Sequence, residues 1–161
     1  MQTTLAIQKT AVITAFNNAD TSGKKLLEDL FPNQKLSGEI TDRVKTFEDA
    51  CAVLGFDSQD ISLEVHGKAL SKDIKSIAAY TKLIIICRAL NEGWVPDWTN
   101  DDQYKYYPWF DLSSGSGLSY LDYANAGSRS AVGSRLCLKS EELAKYVSTQ
   151  FNPEYKDYML L

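Results

Sequence analysis

Tyr104-Lys105-Tyr106-Tyr107-Pro108-Trp109-Phe110-Asp111-Leu112, followed by Ser113-Ser114-Gly115-Ser116-Gly117 and then Leu118-Ser119-Tyr120-Leu121-Asp122-Tyr123, is the stretch on which the fold class turns. Aromatic side chains crowd both arms and the Ser/Gly run between them is turn chemistry, so a β-hairpin is predicted over 104–112 and 118–123. Pro108 lacks a backbone N–H, which confines it to an edge strand or a bulge. Ser134 to Lys139 alternates and predicts a third strand. Ser140-Glu141-Glu142 then caps a helix through Leu143, Ala144, Val147 and Phe151, which Asn152-Pro153 breaks, with a last short helix or tail beyond.

Outward from this stretch towards the N-terminus the periodicity is helical. Leu5 to Asn18 reads as an amphipathic helix, and Ser22 is placed to cap a second one that stops before Pro32. Residues 33–40 look like a loop. Thr46 caps a helix whose apolar face is Phe47, Ala50, Cys51 and Leu54, with Gly55 as its stop. Ile61, Leu63 and Val65 suggest a short strand. Ser71 caps the strongest helix, which runs to Asn91-Glu92-Gly93 and becomes apolar on more than one face; the three isoleucines at 84–86 leave a buried strand over 82–87 as the rival. The expected fold is therefore α+β: a helical part (about 1–93) packed on a small antiparallel sheet (hairpin plus third strand), followed by a C-terminal helix, with 94–161 supplying the strands. The long helix is expected against one face of the sheet. No linker separates the parts, so 1–161 is expected to form a single domain.

Composition bounds the function. The chain has 161 residues, 44% apolar and 24% charged, with a net charge of −4, the balance of an ordinary globular protein. A mildly acidic surface repels a nucleic-acid backbone and argues against a nucleic-acid partner. Cys51, Cys87 and Cys137 are too widely spaced for a disulfide framework or a zinc site, so buried, reduced thiols, no metal and no cofactor are expected. The longest aliphatic run, Leu83 to Ile86, is far short of the roughly 20 residues that cross a bilayer, and the first ten residues lack the pattern of a signal peptide. A cytoplasmic protein without a membrane partner is the expectation.

Several phrases of the chain are long enough to carry a resemblance. They are Arg43-Val44-Lys45-Thr46-Phe47-Glu48-Asp49-Ala50, Ala89-Leu90-Asn91-Glu92-Gly93-Trp94 with Pro96, Tyr106-Tyr107-Pro108-Trp109-Phe110, and Gly133-Ser134-Arg135-Leu136 with Lys139-Ser140 and Glu142-Leu143-Ala144. Together, over roughly residues 40–160, they resemble a family of small uncharacterised proteins common in gut Bacteroidetes and in their phages and prophages. The resemblance implies a bacterial or phage setting and transfers no catalytic residue.

Two features bear on function. Residues 94–123 hold nine of the eighteen aromatics and every tryptophan: Trp94, Trp98, Tyr104, Tyr106, Tyr107, Trp109, Phe110, Tyr120 and Tyr123. In an extended strand both faces then carry large groups, so one face is core and the other is covered either by this chain or by a partner. Base stacking is opposed by five aspartates against the single Lys105. The second feature repeats Gly-Ser-Arg at Gly127-Ser128-Arg129 and Gly133-Ser134-Arg135. On an extended backbone the even spacing places Arg129 and Arg135 on one face, where they could hold a phosphate or carboxylate; the plainer alternative is a loop with Arg135 paired to an acid. Neither a P-loop nor a dinucleotide fingerprint is present. The one histidine, His66, has no evident nucleophilic partner, so catalytic residues stay unassigned. The sequence favours a non-enzymatic interaction protein, binding a protein partner or itself through Trp94, Trp98, Tyr104, Tyr106, Trp109, Arg129 and Arg135. The alternatives are a small enzyme or binder of an anionic ligand that uses Arg129 and Arg135, and a nucleic-acid-binding protein.

Overall fold

The computed structural model describes residues 7–61, 71–113 and 118–160. The chain divides into two compact units, Met1–Ile61 and Ser62–Leu161. Among the described residues there are eight α-helices and a two-stranded antiparallel sheet.

The first unit is helical: α1 Lys9–Asn18, α2 Thr21–Leu30, α3 Ile40–Arg43, α4 Phe47–Leu54 and a 3-10 turn at Ser58–Asp60. α1 buries Val12, Ile13 and Phe16 in a cluster with Leu36 and Ala52, against which Leu27 and Phe31 pack. The cap of α2 differs from expectation. Asp20, not Ser22, caps it, its carboxylate accepting from the Gly23 N–H at 2.8 Å. An ionised acceptor two residues earlier satisfies the free donors and suits the positive end of the helix. The one-turn helix α3 lies just past the loop expected over 33–40.

α4 begins and ends as predicted. The Thr46 hydroxyl accepts from the Asp49 N–H at 3.1 Å, and the Asp49 carboxylate accepts in return from the Thr46 N–H at 3.0 Å. Gly55 closes the helix in the left-handed region, at φ +86°. Asp49 is itself buried, accepts from the Lys45 N–H at 2.9 Å and pairs with the Lys9 ammonium of α1. Burial pushes its carboxyl up, but Lys9 and the two backbone donors outweigh burial and hold it below the ordinary carboxylate range.

The second unit contains α5 Ser71–Leu90, β1 Lys105–Asp111, β2 Ser119–Ala126, α6 Gly133–Leu136, α7 Glu141–Gln150 and α8 Asn152–Met159. The helical alternative over 82–87 prevails over the strand. Leu83, Ile86, Cys87 and Leu90 are fully buried, so the second half of α5 sits inside its unit, as its nearly all-round apolarity predicts. The strand suggested by Ile61, Leu63 and Val65 and the capping side chain of Ser71 lie outside the described residues. α5 packs along α8, with the Ser76 hydroxyl donating to the Tyr158 carbonyl at 2.8 Å and the Tyr80 and Tyr158 rings stacked at 5.3 Å. In place of the expected α5, it is α7 that lies along both strands. Ser140 caps α7 by accepting from the Leu143 N–H, as predicted.

The hairpin pairs Lys105 with Ala126 and Pro108 with Tyr123. Its register shifts after Trp109: Trp109 faces Asp122 and Phe110 faces Tyr120, leaving Leu121 as the extra residue of a bulge. The third strand is a correction. Residues 133–136 form the helical turn α6, and only Leu138 makes a bridge, exchanging backbone hydrogen bonds with Tyr106 at 2.8 and 3.0 Å. The other edge of this segment is taken by the buried Asn91 side chain, which donates to the Cys137 carbonyl (2.9 Å) and accepts from the Lys139 N–H (3.0 Å). A side-chain amide thus satisfies the backbone groups that another strand would have used.

Candidate functional site: a cleft of arginines and tryptophan

The site in the second unit begins where α5 stops. Asn91 is held by the 137–139 segment, and the chain then reverses through Glu92 (φ +48°) and Gly93 (φ +83°). The left-handed backbone at two successive positions turns Trp94-Val95-Pro96 back beside the last turns of α5. Glu92 pairs with Lys139 at 2.9 Å, fixing the turn from outside.

The loop that follows is built around Lys105. This lysine is 1% exposed; its ammonium donates to the carbonyls of Asp97 (2.5 Å) and Asn100 (3.0 Å) and lies 5.3 Å from the Trp98 ring centroid. Two carbonyl dipoles and an indole face replace the water that the buried charge loses. Trp98 in turn donates its Nε1–H to the Ser134 hydroxyl at 2.7 Å, tying this loop to α6. Asp97 accepts from the Thr99 hydroxyl and N–H, which hold its carboxyl below the ordinary range. Asp101 accepts from the Ser128 N–H at 2.9 Å, and a Cβ at Gly127 would stand 2.3 Å from both the Asp101 carbonyl and Oδ1. The glycine is required by that close approach.

These ties leave a cleft of about 200 Å³ between the end of α5, the Trp94–Pro96 segment and α6. Ile84, Val95 and Pro96 give it apolar walls, Trp94 an aromatic one, and Arg88, Asn91, Ser134 and Arg135 its polar groups. Arg88 and Arg135 are exposed, and among the described residues neither guanidinium has a hydrogen-bond or ion-pair partner. The Asn91 amide is engaged at both ends, and the Ser134 oxygen already accepts from Trp98. The free side-chain groups of the cleft are mainly the guanidinium donors, which suit an anion.

The residues singled out from sequence fall in three places. Trp94 and Arg135 line the cleft, and Trp98 stands behind it, joining Lys105 to Ser134. Tyr104 and Tyr106 belong to the hairpin, where Tyr106 contacts the rings of Tyr104 (6.5 Å between centroids) and Tyr123 (5.9 Å). Tyr104 is 54% exposed and Trp109 47%, and beside the bulge Leu121 is 62% exposed. Arg129 is exposed and does not line the cleft. The extended backbone that would align it with Arg135 is absent: the Ser130 hydroxyl accepts from the Val132 and Gly133 N–H groups, and the chain turns into α6. Small hydroxyl residues favour such local turns over a strand.

Arg88 was not singled out by sequence, although a signal exists. It is the only charged residue between Leu83 and Leu90, a run otherwise wholly apolar, where a charge is tolerated only at an opening to solvent. His66 lies outside the described residues. Among those described, no group of three or more His, Cys, Asp or Glu is placed to hold a metal, and no helix is long and apolar enough to cross a membrane. Cys51, Cys87 and Cys137 are free and buried. Burial pushes the Cys87 thiol up to about 12, with the neighbouring Cys137 adding to the shift, and the Cys51 thiol up to about 11. Thiols so placed are poor nucleophiles.

Compared with known proteins, the chain matches no family model, no curated protein and no solved structure.

Proposed function

We propose that this is a non-enzymatic binding protein whose second unit receives an anionic group of its partner in the Arg88/Arg135/Trp94 cleft. The observation that carries this reading is the pair of guanidinium groups, from different elements, lining one cleft with no partner among the described residues. Each guanidinium is exposed and presents a planar fork of donors that matches the oxygens of an arriving anion. Catalysis is less well supported: among the described residues lining the cleft none is a carboxylate, histidine or cysteine that could serve Ser134 as a base. The bacterial or phage setting implied by the sequence phrases is part of the same proposal, as is a reducing compartment, which three free thiols support.

The test is titration of the full chain with inorganic phosphate and with acetate, followed by tryptophan emission and by chemical-shift changes. Binding that weakens at least about tenfold in Arg88→Gln and in Arg135→Gln, with unchanged circular dichroism, is expected. Saturation that is indifferent to both substitutions, or no binding of any anion, overturns the reading.

A second reading rests on a different observation. Trp109, Leu121 and Leu112 are all exposed on the hairpin, which supports contact with a protein partner or a second copy there. Sedimentation of the wild type and of Trp109→Ser across a range of concentrations tests the second copy: association in the wild type alone supports self-contact, and a monomer at every concentration removes self-contact.

A further inference from the structure

The cleft's shape restricts the anion further, and the inference rests on the binding reading above. We propose that the cleft takes a carboxylate attached directly to an apolar group, the arrangement found at the C-terminal residue of a polypeptide and in a free branched-chain acid.

Three features of the cleft lead there. The first is its polarity. Free groups are the guanidinium donors of Arg88 and Arg135 and the hydroxyl proton of Ser134, whose oxygen is committed to Trp98. The Asn91 amide is engaged at both ends, by Cys137 and Lys139. Few side-chain acceptors line the cleft, so an occupant that buries several N–H groups there, such as an internal aspartate or glutamate flanked by peptide N–H groups, is disfavoured. A C-terminal residue has a single N–H, and it can stay at the mouth.

The second is the wall. Ile84, Val95, Pro96 and Trp94 line the same cleft as the two arginines. The oxygens that a phosphoryl group turns toward these apolar walls meet no donor on them. A carboxylate has only two oxygens, which the planar fork of a guanidinium matches, and the side chain on the adjoining carbon covers the wall.

The third is size. A cleft of about 200 Å³ has room for some seven waters at about 30 Å³ each. That accommodates a carboxylate with a branched aliphatic side chain.

The experiment uses the full chain and four probes: acetyl-Gly-Gly-Leu as the free acid, the same peptide as its C-terminal amide, 3-methylbutanoate, and inorganic phosphate. Affinities are read from tryptophan emission and chemical-shift titration, in the wild type, in R88Q and R135Q, and in R88K and R135K, which keep the charge without the fork. The free-acid peptide is expected to bind at least about tenfold more tightly than its amide, and R88Q or R135Q to remove that difference. If 3-methylbutanoate equals the peptide, the free acid is the source; if the peptide is the tighter ligand, the chain terminus is. Equal binding of amide and acid, or phosphate binding more tightly than either acid, overturns the carboxylate proposal while leaving the anion cleft in place. Failure of every anion, phosphate included, overturns the underlying reading as well.

Discussion

Replacing Lys105 by methionine removes the centre of the loop that shapes the cleft, and its cost can be worked from the geometry. The Lys105 ammonium is 1% exposed, donates to the Asp97 and Asn100 carbonyls and lies over the Trp98 ring. A hydrogen bond from a charged donor contributes about 1.5–3 kcal/mol net, and a cation held against an aromatic face adds about 1 kcal/mol. Against this, methionine avoids the desolvation of a buried ammonium, and the two carbonyls belong to exposed residues that can recover water. The net expectation is a loss of about 3 kcal/mol. All three tryptophans belong to the second unit, so urea denaturation followed by tryptophan emission reports on that unit directly. Lys105→Arg, which keeps charge and donors, should lose less than Lys105→Met. A loss below about 1 kcal/mol in Lys105→Met, or equal losses in both variants, would refute the assignment of Lys105 as the loop's organiser.

Three further outcomes are expected. Gly127→Ala, whose Cβ would meet two Asp101 oxygens at 2.3 Å, should destabilise the second unit by about 1–3 kcal/mol in the same urea assay, because both backbones must shift. Cys51, Cys87 and Cys137, buried with raised thiol pKa values, should react with a thiol reagent at pH 8 only as the protein unfolds, so labelling in denaturant should outpace native labelling more than about tenfold. The depressed carboxyl of Asp49 stabilises the first unit above the ordinary aspartate pKa of about 3.9, and that contribution is lost as pH falls through the lower folded value. Acid titration followed by far-UV circular dichroism should therefore show a shallower acid limb for Asp49→Asn than for the wild type, and identical limbs would remove Asp49 from the account.

Where local rules are strong, the sequence alone determined the structure. Thr46 and Asp49 build a capping box and Gly55 a left-handed stop within a few residues of each other, so α4 needed nothing beyond its own segment. The same holds for Ser140 before α7 and for the aromatic arms of the hairpin. α5 was legible because a stretch of twenty residues is too long for a strand, which outweighs the three consecutive isoleucines at 84–86. The tertiary structure decided what depends on partners distant in the chain. Alternation over Ser134–Lys139 resembled a strand, yet only Leu138 pairs, because Asn91, 46 residues from Cys137, occupies the other edge of that segment. Arg135 was visible as a candidate, but its companion is Arg88 on α5 and not Arg129, since spacing along the chain tells which face a side chain takes only if the backbone is extended. Lys105 read as a lone basic residue among aspartates, whereas the fold gives it two carbonyls and an indole. Caps and periodicity act over a few residues and are written where they act; a cleft is made by segments that meet only after folding, and its chemistry belongs to that meeting.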